Sequence, residues 1–224
     1  MSSISEQSVG VETRRGNERL GVASAIAFAV LFVVGIFLVV PYDTDQDDAA
    51  LIADVEDNSM AMTIGIYAAV LAALAFLVVV AALLRRVRAA FSDTDLTVAR
   101  GAAMLGTVGL ALGPAIAGSP GPADVFGDEG RPLDAGFVRF ISSVGYITLM
   151  IVGALAIALF FGLLARAGQR SRLLPTWYVV LTYVAIVAMI FAPVFIPLIL
   201  LPIWGVASAV VLARPSTPQV AHAA

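Results

Sequence analysis

The sequence predicts an all-α membrane protein: a polytopic transmembrane helical bundle of six spans with both termini in the cytoplasm. Three observations lead to this prediction. The 224 residues are 60% hydrophobic and 13% charged, whereas a typical soluble domain is about 45–50% apolar and about 25% charged. The apolar residues form long uncharged runs. Almost all the arginines fall on one side of the membrane if each run crosses it.

The length of each uncharged run determines whether it can cross as a helix. A crossing helix needs about 20 apolar residues to span the roughly 30 Å hydrocarbon core. Four runs are near or above that length, and the third, which contains Pro114, is the shortest. These runs occupy positions 20–40, 60–84, 101–118 and 140–165.

The last uncharged stretch, 173–213, covers 41 residues. As a single helix it would reach about 60 Å, twice the hydrocarbon thickness. Pro193 and Pro197 lie near its middle, and proline lacks the amide hydrogen that a continuing helix needs. We therefore predict two spans, 174–192 and 197–213, joined by a tight turn.

Arginine placement predicts the orientation. The chain has 13 basic residues, all arginine, and six spans would leave eleven on one side and only Arg131 and Arg139 on the other. Loops rich in Arg and Lys stay in the cytoplasm. The tails 1–19 and 214–224 are therefore predicted to be cytoplasmic, on either side of one transmembrane domain, 20–213. The eleven are Arg14, Arg15, Arg19, Arg85, Arg86, Arg88, Arg100, Arg166, Arg170, Arg172 and Arg214.

An acidic segment, PYDTDQDDAALIADVEDN at 41–58, separates the first two runs and carries seven carboxylates. We predict a solvated loop outside the cell. Asp48 is expected to cap a short helix, because an Asp side chain accepts hydrogen bonds from the free amides of a first turn. Leu51, Ile52 and Val55 would give that helix an apolar face to lie on the bundle or the lipid interface.

The same segment resembles the start of a calcium loop. Asp43, Asp45 and Asp47 alternate as the first ligands of an EF-hand do, and Asp54 falls at the twelfth position. An EF-hand also needs Gly at its sixth position and a bidentate Glu at its twelfth, and this segment has Asp at both. No metal site is therefore predicted.

The start of the fourth span carries a polar stripe. Arg139, Ser142, Ser143 and Tyr146 recur at offsets that share one helix face. One interpretation is an outward-facing pocket for a small polar or anionic ligand. The alternative is that Arg139 extends to the lipid headgroups and the serines bond to backbone carbonyls or neighbouring helices.

The third span carries small residues at intervals of four, Gly109, Gly113 and Ala117. Small residues at this spacing allow two helix backbones to approach closely, so this is the predicted helix-packing face. Pro114 would kink the helix, and a broken helix can also line a transport site. Aromatic residues of the last two spans, Trp177, Tyr178, Tyr183 and Trp204, fit interfacial or packing positions.

Several classes of function have no residues to support them. The chain has no Cys and a single His, His222, which excludes thiolate catalysis and histidine-based haem or zinc sites. No Asp, Glu, Lys or His lies inside a predicted span, whereas proton relays normally place such groups there. The net charge of −3 offers no basic footprint for nucleic acid. We predict no catalytic residues, no cofactor and no enzyme activity.

The C-terminal third carries the strongest likeness to a known family. LLPTWYVVLTYVAIVAMIFAP opens one span with Leu-Pro-x-Trp, and LLPIWGVASAVVLARP places Pro-x-Trp inside the next. With the acidic first loop, this pattern resembles an uncharacterised family of bacterial six-span membrane proteins common in actinobacteria. The resemblance implies a membrane fold and no particular reaction.

Two functions follow from these predictions. The first is a non-enzymatic accessory component of the cell membrane, which contacts the lipid bilayer and a membrane-protein partner or a second copy of itself. It requires a solid bundle with small-residue faces. The second is a small-solute transporter, for which a dimer is one arrangement because six spans alone enclose little volume. It requires a water-filled cavity near Pro114 and the polar face of the fourth span.

Overall fold

The structure is a computed structural model, and it describes residues 3–39, 45–126, 133–192 and 196–214. These residues are almost entirely helical and contain no strand, so the all-α prediction is confirmed for them. A π-helical segment, Thr148–Gly153, joins two of the helices, and short 3-10 turns occur at Arg88–Ala90 and Ile196–Ile199. The α-helices are α1 Ser3–Val39, α2 Asp48–Val87, α3 Asp93–Ala117, α4 Pro120–Phe126, α5 Ala135–Ile147, α6 Ala154–Ser171, α7 Thr176–Ile190 and α8 Leu200–Ala213.

Four helical segments are long and apolar enough to cross a membrane. They are Glu18–Val39, Asp48–Ala90, Asp93–Ala117 and Ala135–Ser171. The helices α7 and α8 are equally apolar but have only 15 and 14 residues. Each would measure roughly 21–23 Å at 1.5 Å per residue, which is less than the hydrocarbon core.

The helices extend beyond the uncharged runs that predicted them. The separate short helix expected after Asp48 does not exist, because that segment is the start of the 40-residue α2. Its cap is Asp47 rather than Asp48, and the Asp47 carboxylate accepts from the amides of Ala49 and Ala50. A helix can continue into water once its ends are capped, so an absence of charge underestimates its length.

The apolar face predicted for this extension does pack on the bundle. Leu51 and Val55 are fully buried in a small cluster with Met62 and Val138, and Ile52 lies partly buried beside it. The cluster joins the first turns of α2 to the first turn of α5. The described part of the acidic segment, 45–58, is thus held against the protein by its apolar side, while Glu56 and Asp57 remain exposed.

The main core is organised around Trp204 of α8. Its ring lies 4.5 Å from that of Phe161 on α6 and 6.0 Å from that of Phe76 on α2, measured between centroids. Phe28 of α1 continues the contact, 5.3 Å from Phe76. All four rings are fully buried. Since aromatic pairs at these distances add attraction beyond their buried area, one cluster links four helices.

A closed set of hydrogen bonds joins α7 to α8 within this core. The Trp204 indole donates to Thr182 Oγ1 at 3.3 Å, and Thr182 donates to the Tyr178 carbonyl at 2.8 Å. The Tyr178 hydroxyl lies 2.7 Å from Ser208 Oγ, and Ser208 donates to the Trp204 carbonyl at 2.8 Å. A hydroxyl has one proton, so Tyr178 is the donor to Ser208.

The sequence allowed either interfacial or packing positions for Trp177, Tyr178, Tyr183 and Trp204, and the burial of Tyr178 and Trp204 decides between them. Both are fully buried packing residues, whereas Trp177 and Tyr183 are exposed at the surface. The end of α8 is held in turn by α2, because Arg86 donates to the Val211 carbonyl at 2.7 Å. The same carbonyl also accepts from the Arg214 amide at 3.2 Å, so the guanidinium adds a second bond at the end of α8.

We predict that Ser208→Ala destabilises the protein more than Tyr178→Phe. The first change strands the buried tyrosine donor, at a cost of about 1–3 kcal/mol. The second change leaves Ser208 donating to the Trp204 carbonyl, so it should cost under about 1 kcal/mol. The measurement is thermal unfolding in mild detergent. The double variant Tyr178→Phe, Ser208→Ala completes a double-mutant cycle, which gives the interaction free energy of the pair. Equal losses from the two single variants would contradict the assigned donor direction.

Candidate functional site

The predicted packing face of α3 lies directly against the segment that runs from α5 through the π turn into α6. A methyl group built on Gly113 would lie 2.6 Å from Leu149 Cβ and 2.9 Å from the Leu149 amide nitrogen. One built on Gly109 would overlap the backbone of Gly153, and one on Gly145 would overlap the backbone of Ala117. We call this contact the glycine seam, and its facing pairs are Gly106 with Ile157, Gly109 with Gly153, Gly113 with Leu149, and Ala117 with Gly145.

The π turn between α5 and α6 explains how Gly145 and Gly153 both face α3. Gly145 and Gly153 are eight residues apart, and eight residues rotate a regular α-helix about 80° past two full turns. A π turn accommodates one extra residue, so the pair behaves as if about seven residues apart and deviates by only about 20°. The segment Thr148–Gly153 supplies that turn. Two backbones can therefore stay in contact over the whole seam.

Ser142 lies at the end of the seam. It is buried, and its hydroxyl is 3.5 Å from the Ala117 carbonyl, at the long end of the hydrogen-bond range. That carbonyl belongs to the last turn of α3, where carbonyls lack helical partners. Ser142 therefore belongs to the packing contact rather than to an open pocket.

Arg139 forms a clamp between α5 and the start of α2. Its guanidinium contacts Asp48 Oδ1 at 2.7 Å and donates to the Gln46 carbonyl at 2.8 Å. Gln46 in turn donates to Asp54 Oδ2 at 2.7 Å. The guanidinium is therefore engaged with the protein instead of extending towards headgroups. The clamp and the apolar cluster around Leu51 and Val138 thus join the same two helices, α2 and α5.

The remaining residues of the predicted polar stripe lie on the surface. Ser143 is exposed and donates to the Arg139 carbonyl four residues earlier, at 2.8 Å. Tyr146 is also exposed. Ser143 and Tyr146 are thus exposed, Arg139 is half-buried in the clamp, and Ser142 lies in the seam. The four residues share a helix without lining one enclosed pocket.

Several of the described acidic residues serve as helix caps or as hydrogen-bond acceptors between segments. Asp47 caps α2, Asp54 accepts from Gln46, and Asp134 caps α5 through the Phe137 amide at 2.7 Å. Asp43, the first residue of the calcium-like spacing, lies outside the described residues. Among the described residues, no group of three or more His, Asp or Glu side chains is placed to hold a metal ion.

Sequence reasoning identified only half of the seam. Gly145 and Gly153 were not singled out, although the run GYITLMIVG contains both. Their spacing of eight residues suits a shared face only if a π turn intervenes, so a regular helix periodicity hides the pair. The Arg139–Asp48 contact joins residues 91 positions apart, and no local pattern indicates it.

Over the described residues, the fold and the seam define a class: an all-helical bundle with four helices long and apolar enough to cross a membrane, and with close backbone contact along α3. No protein-family model matches this sequence. Searches of the curated proteins and of the solved structures found no match. The likeness to the uncharacterised six-span family therefore stays a prediction.

We predict that Gly109→Leu and Gly113→Leu destabilise the bundle by about 1–3 kcal/mol each, because the added side chains must force two backbones apart. Gly101→Leu is the matched control in the same helix, since a methyl group there meets no atom within 4 Å. Leu is also a better helix former than Gly, so the control should keep or raise stability. Thermal unfolding and folded yield in mild detergent would measure all three. Similar yields would show that the seam is not tightly packed.

Proposed function

We propose that the protein is a multi-pass component of the cell membrane with six spans and cytoplasmic termini, and that it acts as a non-enzymatic accessory protein that packs against a membrane-protein partner. The observation that carries this proposal is the glycine seam. A backbone contact along α3 leaves no room for a solute beside Pro114, where a transport path was the alternative. The seam is made within the chain, so it supports the solid bundle that the accessory role requires.

Satisfied polar groups in the core also support a packing role. Among the described residues, every buried side-chain nitrogen and oxygen has a hydrogen-bond partner. The fully buried hydroxyls of Thr182 and Ser208 already bond to Trp204 and to backbone carbonyls. A solute site needs polar groups that can turn to the ligand, and these groups are committed to holding α7 on α8.

The basic ends of three helices lie side by side at one end of the bundle, and this arrangement supports six spans. A methyl group built on Gly21 would lie 3.0 Å from Ala82 Cβ and 3.2 Å from Leu212 Cδ1, so the basic ends of α1, α2 and α8 share one layer. The Arg86–Val211 bond lies in the same layer. The 3-10 turn before α8 lengthens that segment to 196–213, roughly 29 Å from the rises of the two helix types. That length matches the hydrocarbon core.

Exposed apolar side chains offer the surface for lipid and for a partner. Only 33% of the most apolar stretch of α1 is buried, the lowest share among the four long segments. Its outer face carries Ile26, Val30 and Phe37, all more than half exposed. Contiguous apolar surface of this kind marks membrane or protein contact. The outer face of α1 is the first candidate for partner contact.

We predict that a reporter active only outside the cytoplasm is silent when fused after Ala224 or inserted next to Phe91. The same reporter should be active when inserted next to Asp45. The physical reason is that the arginine-rich layer is retained in the cytoplasm. An active C-terminal fusion combined with a silent one at Phe91 would mean that α7 and α8 together cross once, which contradicts six spans.

We predict that liposomes containing the purified protein admit small polar solutes no faster than empty liposomes, as followed by light scattering after an osmotic step. Protein extracted gently from native membranes should migrate with a second polypeptide and dissociate from it in harsh detergent. Faster solute entry would favour the transporter, and a complex of only this chain would favour a homodimer.

A further inference from the structure

A groove of about 410 Å³ opens at the arginine-rich end of the bundle, between the last turns of α2 and the first turns of α3. Its rim carries three arginines from three different segments: Arg85 in α2, Arg88 in the 3-10 turn, and Arg100 in α3. All three are exposed. Elsewhere its walls are apolar, with Leu77 and Ala81 on one side and Met104 on the other.

The rim arginines are not used by the fold. Within the described part of the chain, Arg85, Arg88 and Arg100 have no ion-pair or hydrogen-bond partner. Arg86, their neighbour, is turned towards α8 and donates to the Val211 carbonyl. The arginine that stabilises the bundle is thus distinct from the three that surround the groove. Three adjacent guanidinium groups form a strong site for phosphate oxygens, which their planar forks can bind bidentately.

The apolar part of the groove has the dimensions of one leaflet. From Leu77 to Arg88 the helix rises about 16 Å at 1.5 Å per residue, and half of the hydrocarbon core is about 15 Å. Val80, Leu84 and Ala103 form a buried floor, and the exposed Leu77 and Met104 form its walls. An alkyl chain can lie along such a floor while its charged head stays at the arginine level.

We propose that this groove binds an anionic phospholipid of the cytoplasmic leaflet. The phosphate contacts Arg85, Arg88 and Arg100, and one acyl chain lies along Leu77, Ala81 and Met104. Basic sites between membrane helices at this level recognise anionic headgroups. A zwitterionic lipid offers a weaker partner because its own cation competes with the arginines. The leaflet assignment rests on the proposed topology, whereas the chemistry of the groove does not.

The test counts lipids retained by the full-length protein in native mass spectrometry from mild detergent. Phosphatidylglycerol is compared with phosphatidylcholine of the same acyl chains. We expect preferential retention of phosphatidylglycerol, and about tenfold weaker retention by the variant Arg85→Gln, Arg88→Gln, Arg100→Gln. The matched control is Arg166→Gln, Arg170→Gln, Arg172→Gln, which removes the same charge from exposed positions at the end of α6. Equal losses in both variants would overturn the proposal in favour of general surface charge.

A second variant tests the acyl-chain half of the site. Ala81→Phe fills the groove and leaves every arginine in place, so it should reduce phosphatidylglycerol retention at least threefold. Excess glycerol 3-phosphate, which carries the phosphate without chains, should displace little lipid. Full displacement would show a soluble phosphate site and overturn the lipid assignment. Retention in detergent does not depend on orientation. A reporter active next to Phe91 would therefore move the site to the outer leaflet without removing it, and an active C-terminal fusion alone would leave it in the cytoplasmic leaflet.

Discussion

Backbone contact along the glycine seam is the constraint on which the bundle depends. Lipid tails are as apolar as leucine, so helices in a membrane gain little from burying apolar side chains alone. They associate where their surfaces fit closely enough to gain many weak contacts, each about 0.1–0.2 kcal/mol. At Gly109 and Gly153 the two backbones meet without any intervening side chain. The position of the seam then fixes how α2 and α6 can reach α3, and so where the aromatic core can form.

Hydrogen bonding inside the core gives the bundle its specificity. Any polar group left without a partner in an apolar interior is costly, so Tyr178, Thr182 and Ser208 restrict α7 and α8 to the one register that satisfies them all. The aromatic rings around Trp204 add strength without direction. The polar side chains fix the register of α7 and α8, and their hydrogen bonds are made within the protein rather than to a ligand.

Sequence reasoning succeeded where one physical requirement acts on consecutive residues. Long uncharged runs mark the apolar centres of the helices because lipid excludes charge, and that reading is confirmed for the four long segments. It failed where the requirement joins distant residues. Both Asp47 and Asp48 have a side chain that can cap a helix. In the structure Asp47 caps α2, while Asp48 pairs with Arg139, a residue that is distant in the sequence.

The two sides of the glycine seam differ in how well the sequence predicts them. The small residues of α3 follow the ordinary helical repeat and can be read directly. Their counterparts in α5 and α6 are aligned by the π turn, and nothing in the letters TLMIVG distinguishes that turn from regular helix. A groove between α2 and α3 is equally invisible from the sequence, because the spread of Arg85, Arg88 and Arg100 over three segments suggests only a basic loop.

The position of α8 has a consequence for biogenesis. Of the described helices, α8 is synthesised after the other seven, yet it lies along α1, which is synthesised before them, and its end is held by Arg86 of α2. The contacts of highest sequence separation form last because the whole chain must exist before they can be made. Until α8 leaves the ribosome, α1 and α2 lack their neighbour in the aromatic core. The cell must therefore shelter an open bundle until α8 has been made, and the arrival of α8 closes it.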